Sequence, residues 1–424
     1  MKKIVIIIAF VVLVIILAFL LYLFFFRPTA PPPIIEKPPI VETPPRLPVS
    51  REAWERMTIE EREMMGLPLF EYEEILPPVI EVPPVPTVPE ISDVADGGLT
   101  WASSVSSDRT FGATLAGDGI NAVFYQPEEG RFYRITPDGE KSLLSDQIFV
   151  GVQQITWAPN TEKAILEFRD GFRVVYDFRT ERQVTLPFNW YDFSFSPTSN
   201  EFVFKLDSRY PENRWLSVAR TDGTGARAVE HMGDNQDKVI TTWSSNSQVL
   251  AFSRTGIPRG AWEQSILVIG QHGEKFPNFI VDGQGFEHTW DKLGEKIAYS
   301  VYSPETDYNP NLYIVNAAGD RAGRDKINTG LKTYSHKCTF NQSGDSLYCA
   351  VPREMPFGSG LVPELIEGIQ DDFYKVDLKT GRIGFLAEPA FGFYSVDRVF
   401  LSNDESLLYF IDRDTGVLRY IKLR

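Results

Sequence analysis

Cysteine and histidine are scarce in this chain of 424 residues, and their scarcity limits the chemistry that the chain can carry. It contains two cysteines, Cys338 and Cys349, and four histidines. Because the histidines are dispersed along the chain without a short His-x-His spacing, the sequence predicts no metal site and no cofactor. A Gly-x-Ser-x-Gly motif is also missing, which argues against a serine hydrolase with a nucleophile elbow.

Positive charge is the second deficit. The chain has 42 Lys and Arg against 57 Asp and Glu, for a formal net charge of −15. No cluster of basic residues could follow a phosphate backbone, so we expect no nucleic-acid partner. The aromatic content of 13% and the 30 prolines favour strands and turns over a helix bundle.

Charge is absent altogether from residues 4–26. At 1.5 Å per residue this apolar run would reach about 35 Å as a helix, enough to cross a hydrocarbon core of about 30 Å. Lys2 and Lys3 precede it and only Arg27 follows closely, so residues 1–27 are predicted to be an uncleaved signal anchor with a cytoplasmic N-terminus. The alternative is a cleaved signal peptide, whose apolar region is typically only about 7–15 residues.

Proline and acidic residues dominate the next segment, residues 28–97. Such a composition cannot bury enough apolar surface to pack, and proline runs favour extended polyproline II. The segment is therefore predicted to be an acidic, proline-rich stalk. A short helix near residues 51–66 interrupts it, because Thr58 and Glu61 fit a capping box and Gly66 fits a helix stop.

A sevenfold repeat fills residues 98–424. Each unit has a bulky apolar landmark, and three consecutive apolar residues follow seven to nine positions later, as Leu250, Ala251 and Phe252 follow Trp243. The landmarks are Leu115, Trp157, Phe195, Trp243, Trp290, Phe340 and Phe400. A third apolar segment and usually a turn follow. Units of about 40–50 residues with four short strands predict an all-β fold, a seven-bladed β-propeller.

Closure of the ring follows from the two ends of the repeat. The last unit reaches Arg424 directly after its third strand, while residues 99–106, before the first unit, read as an unassigned strand. We expect residues 99–106 to complete the seventh blade, which would leave no open sheet edge.

The repeat resembles the WD40-like (PD40) repeats of TolB-type β-propellers. The similarity rests on residues 157–159 (Trp-Ala-Pro), 195–197 (Phe-Ser-Pro), 243–245 (Trp-Ser-Ser) and 115–119 (Leu-Ala-Gly-Asp-Gly). The turn that commonly reads Pro-Asp-Gly in that family differs in six units, and the predicted anchor and stalk replace its α/β domain. The resemblance implies protein or peptide recognition at the cell envelope, although propellers host many activities.

The loops between the second and third strands of the units vary most and would lie on one face. They carry Tyr210, Arg259, Trp262, Tyr308 and Phe357 to one rim. Tyr, Trp and Arg are enriched at interface hot spots, so this rim is the candidate binding site. The alternative is that these loops are ordinary decorations of the scaffold.

Cys338 and Cys349 fall on the two strands of one hairpin. Antiparallel pairing around its turn would place them nearly opposite each other, which in an exported protein predicts a cross-strand disulfide. The alternative is that Cys349 is simply a core residue, because the same position is Phe252 and Tyr299 in other units.

These features predict a single-pass membrane protein of the cell envelope that holds its propeller outside the membrane. Its predicted role is non-catalytic binding or scaffolding of a protein, peptide or cell-wall component. The alternative is a propeller enzyme, a glycan hydrolase or lyase that uses the central channel. Three or more acidic, Arg or His side chains converging at one end of the channel would favour the enzyme, whereas an exposed aromatic rim favours binding.

Overall fold

A computed structural model describes residues 51–67, 69, 90–274 and 276–424. The chain divides into two compact units, Met1–Pro86 and Thr87–Arg424. No helix among the described residues is both long and apolar enough to cross a membrane. The predicted anchor over residues 4–26 lies outside the described residues, as does most of the predicted stalk.

The described part of the first unit is helical. Its helices are α1 (Arg51–Glu55) and α2 (Ile59–Met64). Two short helices thus replace the single one expected near residues 51–66, because Thr58 caps the second helix instead of continuing the first. The predicted capping box is confirmed, with the Glu61 N–H 3.4 Å from Thr58 Oγ1 and the Thr58 N–H 2.8 Å from Glu61 Oε2. The Arg62 guanidinium then joins the helices by donating to the Trp54 carbonyl (2.9 Å) and lying 3.8 Å over its ring.

The described part of the second unit is built from short strands and 3-10 turns. Two strands come first, β1 (Gly98–Thr100) and β2 (Ser103–Arg109). Blades one and two comprise β3 (Phe111–Leu115), β4 (Ala122–Gln126), β5 (Arg131–Ile135), β6 (Lys141–Leu143), β7 (Val152–Trp157), β8 (Lys163–Phe168), β9 (Arg173–Asp177) and β10 (Arg182–Thr185). Blades three and four comprise β11 (Trp190–Phe195), β12 (Glu201–Leu206), β13 (Trp215–Arg220), β14 (Arg227–His231), β15 (Val239–Thr241), β16 (Val249–Ser253), β17 (Gln264–Gly270) and β18 (Phe279–Val281).

The remaining strands continue the same order. Blades five to seven comprise β19 (Gln284–Trp290), β20 (Lys296–Tyr302), β21 (Asn311–Asn316), β22 (Ile327–Asn328), β23 (Cys338–Phe340), β24 (Ser346–Pro352), β25 (Asp371–Asp377), β26 (Ile383–Pro389), β27 (Val396–Leu401), β28 (Leu407–Asp412) and β29 (Val417–Lys422). The 3-10 turns are Pro211–Asn213, Gly233–Lys238, Pro304–Thr306, Gly319–Arg321, Ser335–Lys337 and Pro363–Ile366. Consecutive strands pair antiparallel within each of seven sheets. The predicted all-β, seven-bladed β-propeller is confirmed.

The ring closes with the N-terminal strands of this unit, but differently from the expectation for residues 99–106. Strand β2 pairs antiparallel with β29 and supplies the outer strand of blade seven. Strand β1 instead pairs in parallel with β26 and becomes a fifth strand of blade six. The segment is split because Ala102, between the two strands, is buried in the core shared by blades six and seven. Both blades are therefore tied to the start of the propeller.

The hydrophobic core is divided among the seven junctions between neighbouring blades. Phe202 and Phe204 of β12 pack between blades two and three, whereas Val203 packs between blades three and four. Successive residues of a strand point to opposite faces, and here both faces are covered by a neighbouring blade. This double burial explains why each repeat needs three consecutive apolar residues rather than alternation.

One repeat is shifted by a residue relative to the sequence alignment. In blades two and three the landmark pairs with the residue seven positions on, as Trp157 does with Ala164. In blade seven that relation holds for Leu401 and Leu408, whereas Phe400 pairs with Tyr409. Leu401 is therefore the equivalent landmark, and Phe400 was the wrong choice. Both residues are apolar and buried, so the pattern alone does not separate them.

The turns between first and second strands form a second ring of contacts. Each contains one residue with positive φ, in chain order Gly119, Thr161, Ser199, Ser247, Gly294, Gly344 and Glu405. Where a side chain is present it can compensate for the left-handed backbone. The Gly117 N–H donates to Thr161 Oγ1 (2.9 Å), and the Asn160 N–H donates to Ser199 Oγ (3.3 Å), in each case from the preceding blade. Thr161 and Ser199 stand in turns whose sequences differ from the common Pro-Asp-Gly, and their hydroxyls bond the preceding blade.

Candidate functional site

The two faces of the propeller differ in exposed apolar surface. Loops between second and third strands, and connections from one blade to the next, emerge on the same side, here called the loop face; the first-to-second-strand turns lie on the turn face. Exposed large hydrophobic residues on the loop face are Ile148, Val150, Phe172, Phe188, Tyr210, Ile257, Trp262, Phe357, Leu361, Val362, Leu365, Phe391 and Phe393. Among the described residues, the first-to-second-strand turns expose only Ile120 and Leu293. This asymmetry makes the loop face the candidate site of interaction with other molecules.

Three of the predicted rim residues meet in an aromatic row that crosses three blades. The ring centroids of Trp262 and Tyr308 are 5.5 Å apart, and those of Tyr308 and Phe357 are also 5.5 Å apart. The ring planes meet at 72° and 75°, the edge-to-face arrangement that aromatic pairs favour. Phe357 remains 69% exposed and Trp262 39% exposed. The row therefore presents ring edges and clefts rather than one flat platform.

The backbone under the row is strained and held in place. Tyr308 has a φ of 55° and the preceding Asp307 a φ of 58°, a left-handed conformation that costs a non-glycine residue about 1 kcal/mol or more. Their carbonyls accept N–H bonds from Gly358 (2.9 Å, to Asp307) and Gly360 (2.8 Å, to Tyr308) of the blade-six loop. The buried Asn309 side chain adds bonds to the Met355 carbonyl (3.3 Å) and the backbone N–H of residue 359 (3.2 Å). Two neighbouring loops are thus locked together beneath exposed rings.

The other two predicted rim residues do not join the row. Tyr210 is exposed at the start of the turn Pro211–Asn213 and makes no ring contact in the described part of the chain. Arg259 is exposed on the blade-four loop and has no ion pair there. The apolar stretch after Phe357 contains the 3-10 turn Pro363–Ile366, in which Ile366 is buried.

A second aromatic cluster on the loop face was missed from the sequence. The rings of Trp101 and Phe391 are 5.0 Å apart, and Phe393 is 84% exposed. Phe391 and Phe393 border a cavity of about 600 Å³ beside the connection from blade six to blade seven. Phe391 has a φ of 59°, another strained residue with an exposed ring. The Phe-Gly-Phe spacing inside an inter-blade connection is the signal that could have found it.

Charged side chains at the loop-face end of the central channel are present but paired between elements. Lys205 Nζ lies 2.7 Å from Asp192 Oδ2, and His336 Nδ1 lies 3.1 Å from Glu287 Oε1. The third pair joins the Arg413 guanidinium to Asp397 at 3.3 Å. In the described ranges, no group of three or more His, Cys, Asp or Glu is arranged to hold a metal ion.

Glu287 is the most heavily bonded of these groups. Its carboxylate accepts from the Ser300 hydroxyl (2.9 Å), from the Ser335 N–H (2.7 Å) and hydroxyl (3.1 Å), and from His336. Burial alone would raise the pKa of Glu287, but the His336, Ser300 and Ser335 bonds outweigh it and hold the pKa below its ordinary value. Next to it, burial lowers the pKa of His288 to about 4. The Glu287 carboxylate of blade five is thus hydrogen-bonded to Ser335 and His336 at the start of blade six.

The two cysteines form a disulfide. Cys338 and Cys349 are directly paired across β23 and β24, with their Cα atoms 4.1 Å apart. Both are almost completely buried and also belong to the core between blades five and six. The two alternatives from the sequence are therefore both found: the cysteines are cross-linked, and they are also core residues.

Comparison with known proteins adds the fold and nothing finer. No protein-family model matches the chain, and no curated protein matches it. Among solved structures, an oligogalacturonate lyase in complex with manganese aligns with a TM-score of 0.51 at 11% identity, over 76% of this chain and 90% of that one. The Cps50 (Swd1) β-propeller domain of Myceliophteria thermophila gives 0.48 at 12% identity, over 75% and 98%.

The tricorn protease gives a TM-score of 0.45 at 12% identity, over 76% of this chain and 35% of that one. Identities this low identify a shared architecture without identifying a shared activity. The chain is a seven-bladed β-propeller, structurally similar to the oligogalacturonate lyase, the tricorn protease and WD40-like propellers.

Proposed function

We propose that this chain is a membrane-anchored binding or scaffolding protein whose loop face recognises a protein partner outside the membrane. The observation that supports this most is the aromatic row of Trp262, Tyr308 and Phe357, exposed yet fixed on a strained, cross-bonded backbone. Rigid aromatic anchors contribute most of the binding energy at many protein interfaces. Their pre-organisation reduces the entropy lost on binding.

The geometry of the row favours a polypeptide over a sugar. A sugar ring stacks best on a flat aromatic face, whereas the rings here stand at 72° and 75° to each other. Exposed aliphatic side chains lie on the same loops as the row, with Leu361 and Val362 on the blade-six loop and Ile257 on the blade-four loop. Clefts between edge-on rings beside aliphatic groups suit the apolar side chains of a protein partner.

Placement outside the membrane is part of the same proposal. It draws on the apolar run at residues 4–26, on the lysines before it, and on the disulfide between Cys338 and Cys349. Disulfides persist in oxidising compartments and are rare in the cytosol. The finer relationship, to the WD40-like repeats of TolB-type propellers, is proposed on the repeat motifs alone.

A glycan-cleaving enzyme is the second candidate, and the channel argues less strongly for it. Asp192, Glu287 and Asp397 lie on inner strands near the loop face, but each holds a basic partner within 3.3 Å. A general acid or base needs a pKa near the working pH. The pKa of Glu287 is shifted the other way, below its ordinary value, by the hydrogen bonds that outweigh its burial.

Site-specific photocrosslinking in intact cells tests the proposal. A photoreactive amino acid at Phe357 of the full chain is expected to yield a discrete protein adduct. The same substitution at Leu293, exposed to 46% on the turn face, is the matched control and should give none. Once the adduct is identified, Trp262→Ala should weaken its affinity about 30-fold, the value for a hot spot of about 2 kcal/mol.

Two outcomes would contradict the proposal. Equal adducts from both faces would show that the row has no special role. An affinity unchanged by Trp262→Ala and by Phe357→Ala would show that the partner binds elsewhere. Asn309→Ala tests whether the positions of the loops matter for affinity apart from direct contact with the partner. Asn309 is 2% exposed, so its loss can change binding only through the two loops that it joins.

A further inference from the structure

Blades seven, one and two line a partly open cavity with both polar and apolar walls. Its volume is about 210 Å³, and its walls come from residues 110–113 at the start of β3, 153–155 of β7, 397–398 of β27 and Ile411 of β28. A water molecule occupies about 30 Å³ of liquid, so the space corresponds to about seven waters. It is large enough for a small polar ligand or for the end of a chain.

Strands β3, β7 and β27 are each irregular where they border the cavity. The pairing register shifts within residues 111–114 of β3, 152–154 of β7 and 396–398 of β27. Such bulges redirect side chains and are common beside functional sites. As a result Gln153 and Gln154 are both exposed at the cavity, although successive residues of a regular strand point to opposite faces.

Arg398 brings a positive charge to the wall of the cavity. Arg398 is exposed, and within the described residues its side chain has no hydrogen bond or ion pair. The carboxylate beside it, Asp397, is engaged by Arg413 at 3.3 Å, and Arg413 also lies 3.6 Å from Glu367. The Gln153 and Gln154 carboxamides likewise make no hydrogen bond in the part of the chain that the structure describes.

We propose that this cavity binds a carboxylate, with the Arg398 guanidinium donating to both carboxylate oxygens. The planar fork of arginine matches a carboxylate in this two-bond geometry. The Gln153 and Gln154 carboxamides supply further donors for polar groups next to the carboxylate, while Phe111 and Ile155 form an apolar wall. The carboxylate can come from the C-terminus of a polypeptide or from an acidic sugar. The site is built on other blades than the aromatic row and does not depend on it.

The test uses the purified full chain in detergent and ligand-observed NMR titrations. The probes are N-acetyl-leucine, its neutral amide analogue N-acetyl-leucinamide, and glucuronate. We expect at least one carboxylate to bind, and N-acetyl-leucinamide to bind at least tenfold more weakly than N-acetyl-leucine if the latter binds. Arg398→Leu should weaken carboxylate binding at least tenfold. The affinity of Arg398→Lys should lie between those of the wild type and Arg398→Leu, because a lysine keeps the positive charge but not the planar two-donor geometry.

Arg382→Leu provides the matched control, because Arg382 is an exposed arginine that does not line the cavity. It lies between the third and fourth strands of blade six, on the turn face. This substitution should leave binding unchanged. Preference for N-acetyl-leucine would identify a peptide C-terminus as the source, and preference for glucuronate an acidic sugar. Absence of binding by both carboxylates would overturn the proposal, as would binding that survives Arg398→Leu. The melting temperatures of the variants check that they remain folded, as expected for exposed positions.

Discussion

Reduction of the Cys338–Cys349 disulfide is expected to lower the stability of the propeller by a calculable amount. The bond closes a loop with a sequence separation of 11. The loop-entropy relation gives about 9 cal/mol/K for such a loop, or about 2.8 kcal/mol at 25 °C. The two residues face each other across β23 and β24, so the native pairing survives reduction and the loss comes from the unfolded state.

The loss translates into a modest shift of the melting temperature. Unfolding entropy is about 2.1 cal/mol/K per residue near 60 °C, or roughly 0.7 kcal/mol/K for residues 90–424. Dividing about 2.8 kcal/mol by that slope predicts a decrease of about 4 °C. Because both cysteines are almost fully buried, the bond must be reduced in denaturant and the protein refolded with reductant. Scanning calorimetry at one fixed scan rate then compares the oxidised and reduced forms.

The control for reductant itself is the double variant Cys338→Ala/Cys349→Ala, whose melting temperature should not respond to reductant. Equal melting temperatures for oxidised and reduced wild type would refute the reasoning. So would two free thiols in non-reduced protein isolated from cells, since the cross-link would then not form in the cell.

Three further changes probe contacts that hold the blades together, each measured by chemical denaturation. Thr161→Val should cost about 1–2 kcal/mol because a neighbouring turn loses its acceptor, whereas Thr161→Gly should be nearly neutral because relief of the positive φ offsets that loss. The pKa of Glu287 is depressed in the fold, so its contribution to the free energy of unfolding is present above about pH 4.5 and lost as the pH falls. Glu287→Gln should therefore be less stable than the wild type at pH 7, but its free energy of unfolding should decrease less on acidification. Asp371→Asn leaves the buried Lys337 amine without its partner at 2.7 Å and should cost about 3–5 kcal/mol, whereas Lys379→Met at an exposed pair should cost far less.

Much of the fold could be read from the sequence because burial on both faces of every blade imposes a visible pattern. The apolar residues 250–252, which follow the landmark Trp243, lie in β16 (Val249–Ser253), and the apolar residues seven to nine positions after Trp290 lie in β20 (Lys296–Tyr302). The division of residues 99–106 between two blades was not predictable. It depends on which distant strand edges, β26 and β29, are free to pair.

The candidate site was predictable only in part, for a physical reason. The loop positions of Trp262, Tyr308 and Phe357 follow from strand order, so their common rim could be foreseen. Their direct contact could not, because it depends on left-handed backbone at Tyr308 and on bonds between two loops. Arg398 was missed because a bulge redirects the side chains around it, and bulges leave no periodic trace in a sequence.

Backbone strain is distributed differently on the two faces, and this difference bears on function. On the turn face, strained Thr161 and Ser199 use their side chains to accept bonds from the preceding blade, so the strain contributes to closing the ring. On the loop face, strained Tyr308 and Phe391 direct their rings toward other rings and solvent. Such strain persists only where the surroundings enforce it, and it clusters at sites that act on other molecules. The strand pairing that closes the ring does not involve Tyr308, which is why we propose the loop face as the recognition surface.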